Sequence, residues 1–154
     1  MKSFEFYNPT RIVFGKGTIS RLSDLIPGSS RILICYGGGS IKRNGVYEQV
    51  IAAMAGWECY EFGGIEPNPD FDTLIKAVAL GREKRVDFVL AVGGGSVIDG
   101  SKFIASAIPY QAGDPWEIIT GEKVLKKSDV LPIGTVLTLP ATGSEMNGAS
   151  VISR

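Results

Sequence analysis

The chain has 154 residues, 44% hydrophobic and 21% charged, with 16 basic side chains against 16 acidic ones. That length supports one domain with a real core, and zero net charge without a basic block argues against nucleic acid as a partner. No histidine is present, which removes imidazole acid–base chemistry and every His-containing metal site, and two cysteines are too few for a cysteine-rich zinc site.

The elements follow in chain order. "SFEFY", "NPT" and "RIVFG" alternate apolar and polar residues around an Asn-Pro turn and predict an N-terminal β-hairpin. "GTISRLSDLIP" sets Ile19, Leu22 and Ile26 near helical spacing and stops at Pro27-Gly28. "RILICY" over 31–36 is a continuous β-favouring run between Ser-Ser and Gly-Gly-Gly, as expected of a fully buried strand. "VYEQVIAAMAG" gathers Val46, Val50, Ile51 and Met54 on one helical face, and "WECYEF" reads as a strand. "DFDTLIKAVALGREKR" predicts a helix capped by Asp70, with Phe71, Leu74, Ile75 and Val78 on its apolar stripe. "VDFVLAV" over 86–92 is a second buried strand, and "SVIDGSKFIASAI" a helix turning Val97, Ile104, Ala105 and Ile108 inward. "DPWEII" starts a short helix with Pro115 in its first turn, "LPIGTVLTLP" is the last strand, and "ATGSEMNGASVISR" closes on polar, glycine-containing sequence.

Strands without internal alternation, regularly separated by helices, predict an α/β fold. The expected architecture is a Rossmann-like, mostly parallel sheet with helices on both faces, forming one domain over 1–154. No apolar run reaches the roughly 18 residues of a membrane span, and "MKSFEFYNPT" lacks the apolar core of a secretory signal. A cytoplasmic protein with no membrane partner is expected, with Cys35 and Cys59 as packed, reduced thiols.

Two stretches carry the chemistry. "AVGGGSVIDGSK" places Gly93, Gly94, Gly95 and Ser96 between a strand and a helix, and "CYGGGSIK" repeats the pattern at Gly37, Gly38, Gly39 and Ser40. Glycines permit positive φ and leave no Cβ, so a ligand can approach the main chain. The helix that follows offers unpaired N–H groups and partial positive charge, which suits pyrophosphate. A glycine turn can also serve nothing but close helix–strand packing; two such loops favour the nucleotide reading. The spacing is not GxGxxG, since Ile98 stands where a third glycine would.

The first loop carries no acidic residue to hold an adenosine ribose 2′-hydroxyl. It offers bare amides, the Ser40 hydroxyl, Lys42 and Arg43, a surface that accepts a 2′-phosphate, so NADP(H) is expected over NAD(H). In "TLPATGSEMN", Thr138, Thr142, Ser144 and Asn147 crowd hydrogen-bonding side chains around Pro140 and Gly143, either as a nicotinamide pocket or as an ordinary loop.

"NPTRIVFGKG", "GGIEPNP", "VGGGSVIDGSKFIA" and "TLPATGSE" together resemble the N-terminal domain of iron-type (group III) alcohol dehydrogenases. Within that family they are most similar to the NADPH-dependent branch of butanol dehydrogenases and broad-range aldehyde reductases. The resemblance covers essentially the whole chain. It implies that Gly94, Gly95 and Ser96 contact the pyrophosphate, while Gly38, standing where NAD-preferring members have Asp, receives the 2′-phosphate with Ser40, and Gly37 is a further cofactor-binding candidate. Asn68 and Pro69 would flank the adenosine. Thr138, Leu139, Thr142 and Ser144 would hold the diphosphate and nicotinamide region, with Asn147 beside the nicotinamide.

Asp99 resembles the family aspartate facing the cofactor and substrate cleft, and is the catalytic candidate. The resemblance also implies a divalent metal, iron or zinc, on an aspartate and three histidines of a C-terminal helical domain that lies beyond Arg154. No metal ligand is therefore expected in this chain, which would be one domain of a two-domain enzyme and inactive alone. A small alcohol or aldehyde is the expected substrate and a homodimer the expected assembly. The alternatives are an NAD-dependent, glycerol dehydrogenase-like domain and a non-catalytic nucleotide-binding module.

Overall fold

The computed structural model describes residues 3–5 and 7–154. In chain order they form α1 (Leu22–Leu25), β1 (Arg31–Tyr36), α2 (Val46–Ala53), β2 (Glu58–Phe62), α3 (Phe71–Glu83), β3 (Phe88–Gly94), α4 (Gly95–Ala107), α5 (Trp116–Thr120) and β4 (Ile133–Leu139). All strand pairs are parallel, in the order β2-β1-β3-β4.

Continuous apolar strands produce this arrangement because both faces of the sheet need covering. Leu33, Cys35, Val89 and Ala91 point into one core with α3 and α4. Ile32, Ile34, Tyr36, Leu90 and Val92 point into the other with α1 and α2. Burial pushes the Cys35 thiol up to about 12, so it is the inert packed group its strand position implies.

Helix ends are settled by side chains at several points. Asp70 caps α3 by accepting from the Asp72 and Thr73 amides at 3.0 and 3.2 Å. Arg82, in the last turn of α3, donates to the carbonyls of Ala107 and Ile108 and so satisfies the C-terminus of α4.

The expected N-terminal hairpin is not found among the described residues. Residues 3–5 and 7–14 carry no strand, and Met1, Lys2 and Phe6 lie outside the described residues. An alternating strand needs a surface for its apolar side, and these side chains have none here. Phe4 and Phe14 are 80% and 97% exposed. At the Asn-Pro step the chain makes no backbone turn; the Thr10 amide donates to Asn8 Oδ1, and Asn8 Nδ2 donates to the Met146 carbonyl at 2.8 Å. No helix of the described residues is long and apolar enough to cross a membrane.

Candidate dinucleotide cleft

The chain runs from β1 through α2 to the sheet edge at β2, then back through α3 to β3 on the other side of β1. The direction of winding therefore reverses between β1 and β3, which opens a crevice at their carboxyl ends. Both glycine loops leave from that point, one after each strand. Because the strands are parallel, both lie at the same end of the sheet.

A cleft of about 510 Å³ occupies the crevice. It is lined by Gly37 and Gly38, by Ile65 to Pro69, by Gly94 to Val97, by Asp99, and by Leu139, Ala141, Thr142 and Val151. Ten sequence candidates thus meet in one place: Gly37, Gly38, Asn68, Pro69, Gly94, Gly95, Ser96, Asp99, Leu139 and Thr142. Ser40, Thr138, Ser144 and Asn147 do not line it. Ser40 opens an exposed 3-10 turn, Thr138 is exposed one residue before the end of β4, and Ser144 is buried behind Thr142, their hydroxyls 3.0 Å apart. Asn147 is spent on protein partners. Its Nδ2 donates to the Gly143 carbonyl, and its Oδ1 accepts from Lys102 and from the Ala149 amide. A second hollow of about 450 Å³ lies away from the glycine loops, between α2 and the turn at 17–23, and no charged side chain lines it.

The cleft floor leaves main-chain donors open. Gly94 stands at the N-cap position of α4 and supplies no capping side chain, so the first-turn amides of a 13-residue helix are left for another acceptor. Ser96 accepts from the Asn68 amide at 3.4 Å, joining the 65–69 loop to α4, and its own O–H can still donate.

Gly93 and Gly95 of this second loop are needed for space rather than for positive φ. A Cβ at Gly95 would come 3.2 Å from Thr142 Oγ1 and 3.3 Å from Ser144 Oγ, and one at Gly93 would meet Val97 at 2.7 Å. In the first loop, Gly39 alone needs the left-handed region (φ +90°), and a Cβ at Gly38 would meet nothing.

The two basic residues after the first loop differ. The Lys42 ammonium sits over the rings of Tyr36 and Tyr47, 4.9 and 4.7 Å from their centroids, and 3.9 Å from Glu61. Both tyrosine hydroxyls also donate to that carboxylate. Contact with Tyr36 first, and the Glu61 charge after it, raise the Lys42 pKa. Arg43 makes no ion pair among the described residues.

Sequence reasoning missed Lys102. It stands one turn along α4 from Asp99 and pairs with it at 3.5 Å. The i, i+3 spacing was the available signal; its contacts with Asn147 and Ala149, more than forty residues on, had none. Among the described residues no group of three or more Asp, Glu or Cys could hold a metal. With no histidine in the chain, the residues present do not fit the expected iron or zinc.

Fold and cleft define an α/β domain with an uncapped helix N-terminus lining a crevice at a topological switch point. The sequence profile of the iron-containing alcohol dehydrogenases matches residues 9–154, and the chain belongs to that family. It is 56% identical to the NADPH-dependent aldehyde reductase YqhD of Escherichia coli, covering 100% of this chain and 40% of that protein. It is 51% identical to the probable NADH-dependent butanol dehydrogenase 1 of Bacillus subtilis, covering 99% and 40%. Crystal structures of YqhD and of the NADH-dependent butanol dehydrogenase A of Thermotoga maritima superpose with TM-scores of 0.93 each, at 56% and 45% identity, over 99% of this chain and 39% of theirs. The chain therefore spans about two fifths of the length of these relatives.

Proposed function

We propose that this chain is the NADP(H)-binding domain of a metal-dependent alcohol dehydrogenase or aldehyde reductase. The observation that carries this reading is the uncapped N-terminus of α4, set behind a glycine loop at the switch point and facing the cleft. Gly94, Gly95 and Ser96 bind the pyrophosphate through main-chain amides and the serine hydroxyl. Asn68 and Pro69 flank the adenosine. Gly37, Gly38 and Ser40 receive the 2′-phosphate together with Arg43, since Lys42 is engaged by Glu61 and two tyrosine rings. Thr138, Leu139, Thr142, Ser144 and Asn147 shape the nicotinamide side, and Asp99 faces the reacting end of the cleft.

When bound, the dinucleotide supplies or accepts the hydride exchanged with an alcohol or aldehyde. The chain's own part is to anchor the phosphates, orient the ring and wall it from water. Residues outside this chain hold the metal, in a second domain, so these 154 residues bind cofactor without turning over substrate, and the complete enzyme works in the cytoplasm as a homodimer.

Titration calorimetry with NADPH, NADH and ADP tests the reading. NADPH is expected to bind more tightly than NADH, and ADP measurably. Preference for NADH would favour the cofactor in the names of the B. subtilis and T. maritima relatives. No binding of any of the three would overturn the proposal.

A further inference from the structure

The last residues of the chain run as a strap across α4 and the N-terminus of α3, fastened at three points. At one end, Lys102 Nζ donates to Asn147 Oδ1 at 3.0 Å and to the Ala149 carbonyl at 2.6 Å. In the middle, the Val151 amide donates to Asp99 Oδ2 at 3.2 Å. At the other end, Ser153 exchanges backbone hydrogen bonds with Pro69 and Phe71 at 2.9 and 2.8 Å. The Arg154 guanidinium lies over the rings of Phe71 and Trp116.

Strap and helix share one ionic centre. Lys102 Nζ is 3.5 Å from Asp99 Oδ1, and their side chains are only 15% and 14% exposed. The ammonium's three N–H groups thus have three acceptors, on Asp99, Asn147 and Ala149, while the other oxygen of Asp99 holds the strap backbone. Asp99 and Val151 both line the cleft. A half-buried charge that has lost its partner is costly, so neither group is free to leave this arrangement alone. Burial lowers the Lys102 pKa while the Asp99 charge opposes that shift.

We propose that Lys102 is a positioning residue of the dinucleotide cleft. It acts through Asp99 and the 147–151 strap, holding the carboxylate and Val151 as the wall beside the nicotinamide half of the cofactor. This rests on the dinucleotide reading above. The phosphates meet the glycine amides directly, so the half of the ligand held there does not depend on the strap; the remainder does.

The test compares NADPH with ADP on the 154-residue chain by calorimetry, with hydrogen exchange at the Ala149 and Val151 amides. Lys102→Met removes the charge and all three donors. It is expected to weaken NADPH by about tenfold or more, to leave ADP within about twofold, and to speed exchange at both amides. Lys102→Arg, which keeps charge and donors, restores most of the NADPH affinity. Equal loss for NADPH and ADP would make Lys102 a general structural residue and overturn the proposal, as would unchanged NADPH binding. Should Lys102→Met fail to fold, Val151→Pro removes the N–H given to Asp99 at an exposed position and must reproduce the NADPH-selective loss. Wild-type chain that binds neither ligand would instead sink the dinucleotide reading itself, and this inference with it.

Discussion

The two glycine loops look alike in sequence and differ in what surrounds them. The loop after β3 is packed: side chains added at Gly93 or Gly95 would strike Val97 or the hydroxyls of Thr142 and Ser144, and the loop opens directly into the 13-residue α4. The loop after β1 is open at one position only: a Cβ at Gly38 meets nothing, whereas one at Gly37 would come 3.2 Å from the Ile65 carbonyl and Gly39 sits at φ +90°, and the loop enters a three-residue 3-10 turn before α2 begins. Identical glycine runs therefore do different work. One makes room at a helix N-terminus, where the proposed phosphate site lies; the other leaves, at Gly38, a position where a side chain can appear without disturbing the fold.

Substitutions in each loop break or sharpen that contrast. The largest effect is expected from Gly95→Val, which drives a branched side chain into Thr142 and Ser144 and over the α4 amides. Affinity for NADPH and NADH should fall together, by about a hundredfold or more, and undiminished binding in calorimetry would mean the packed loop holds no phosphate. Next comes Gly38→Asp in the open loop. The fold has room for it, so melting should hardly change, while a carboxylate beside a 2′-phosphate should cost NADPH roughly 1–4 kcal/mol more than NADH. Equal losses for both cofactors would remove the 2′-phosphate from this loop. The smallest effect belongs to Asp70→Ala. The N-terminus of α3 is already capped by a side chain, unlike that of α4, so this change should lower stability by about 1 kcal/mol in urea unfolding and leave NADPH affinity as it was. Loss of binding there would show that α3, rather than α4, presents the anion site.

Much of this was legible in the chain itself. The strands 31–36 and 86–92 announce burial on both faces by their lack of alternation. Asp70 is a cap by its chemistry and its place before an apolar stripe. The hairpin expected around Asn8-Pro9 is not found among the described residues, because alternation specifies one apolar side and says nothing about whether a surface exists to receive it. Phe4 and Phe14 follow the pattern and remain exposed. Lys42 and Arg43 are equivalent as sequence neighbours. They part only when β2 brings Glu61 and α2 brings Tyr47 against the first of them.

Local sequence, then, determined which segments become strands and helices, where the backbone lies bare, and which metal chemistries a chain without histidine cannot support. Those properties depend on residue size, capping chemistry and composition, all of which act over a few neighbours. Tertiary structure decided the rest. It placed the two loops side by side, since β1 and β3 are neighbours in the strand order. It tied Lys102 to Asn147 and Ala149, and crowded Gly95 against Thr142, since contacts between distant residues arise only once the sheet and its covering helices have brought them together.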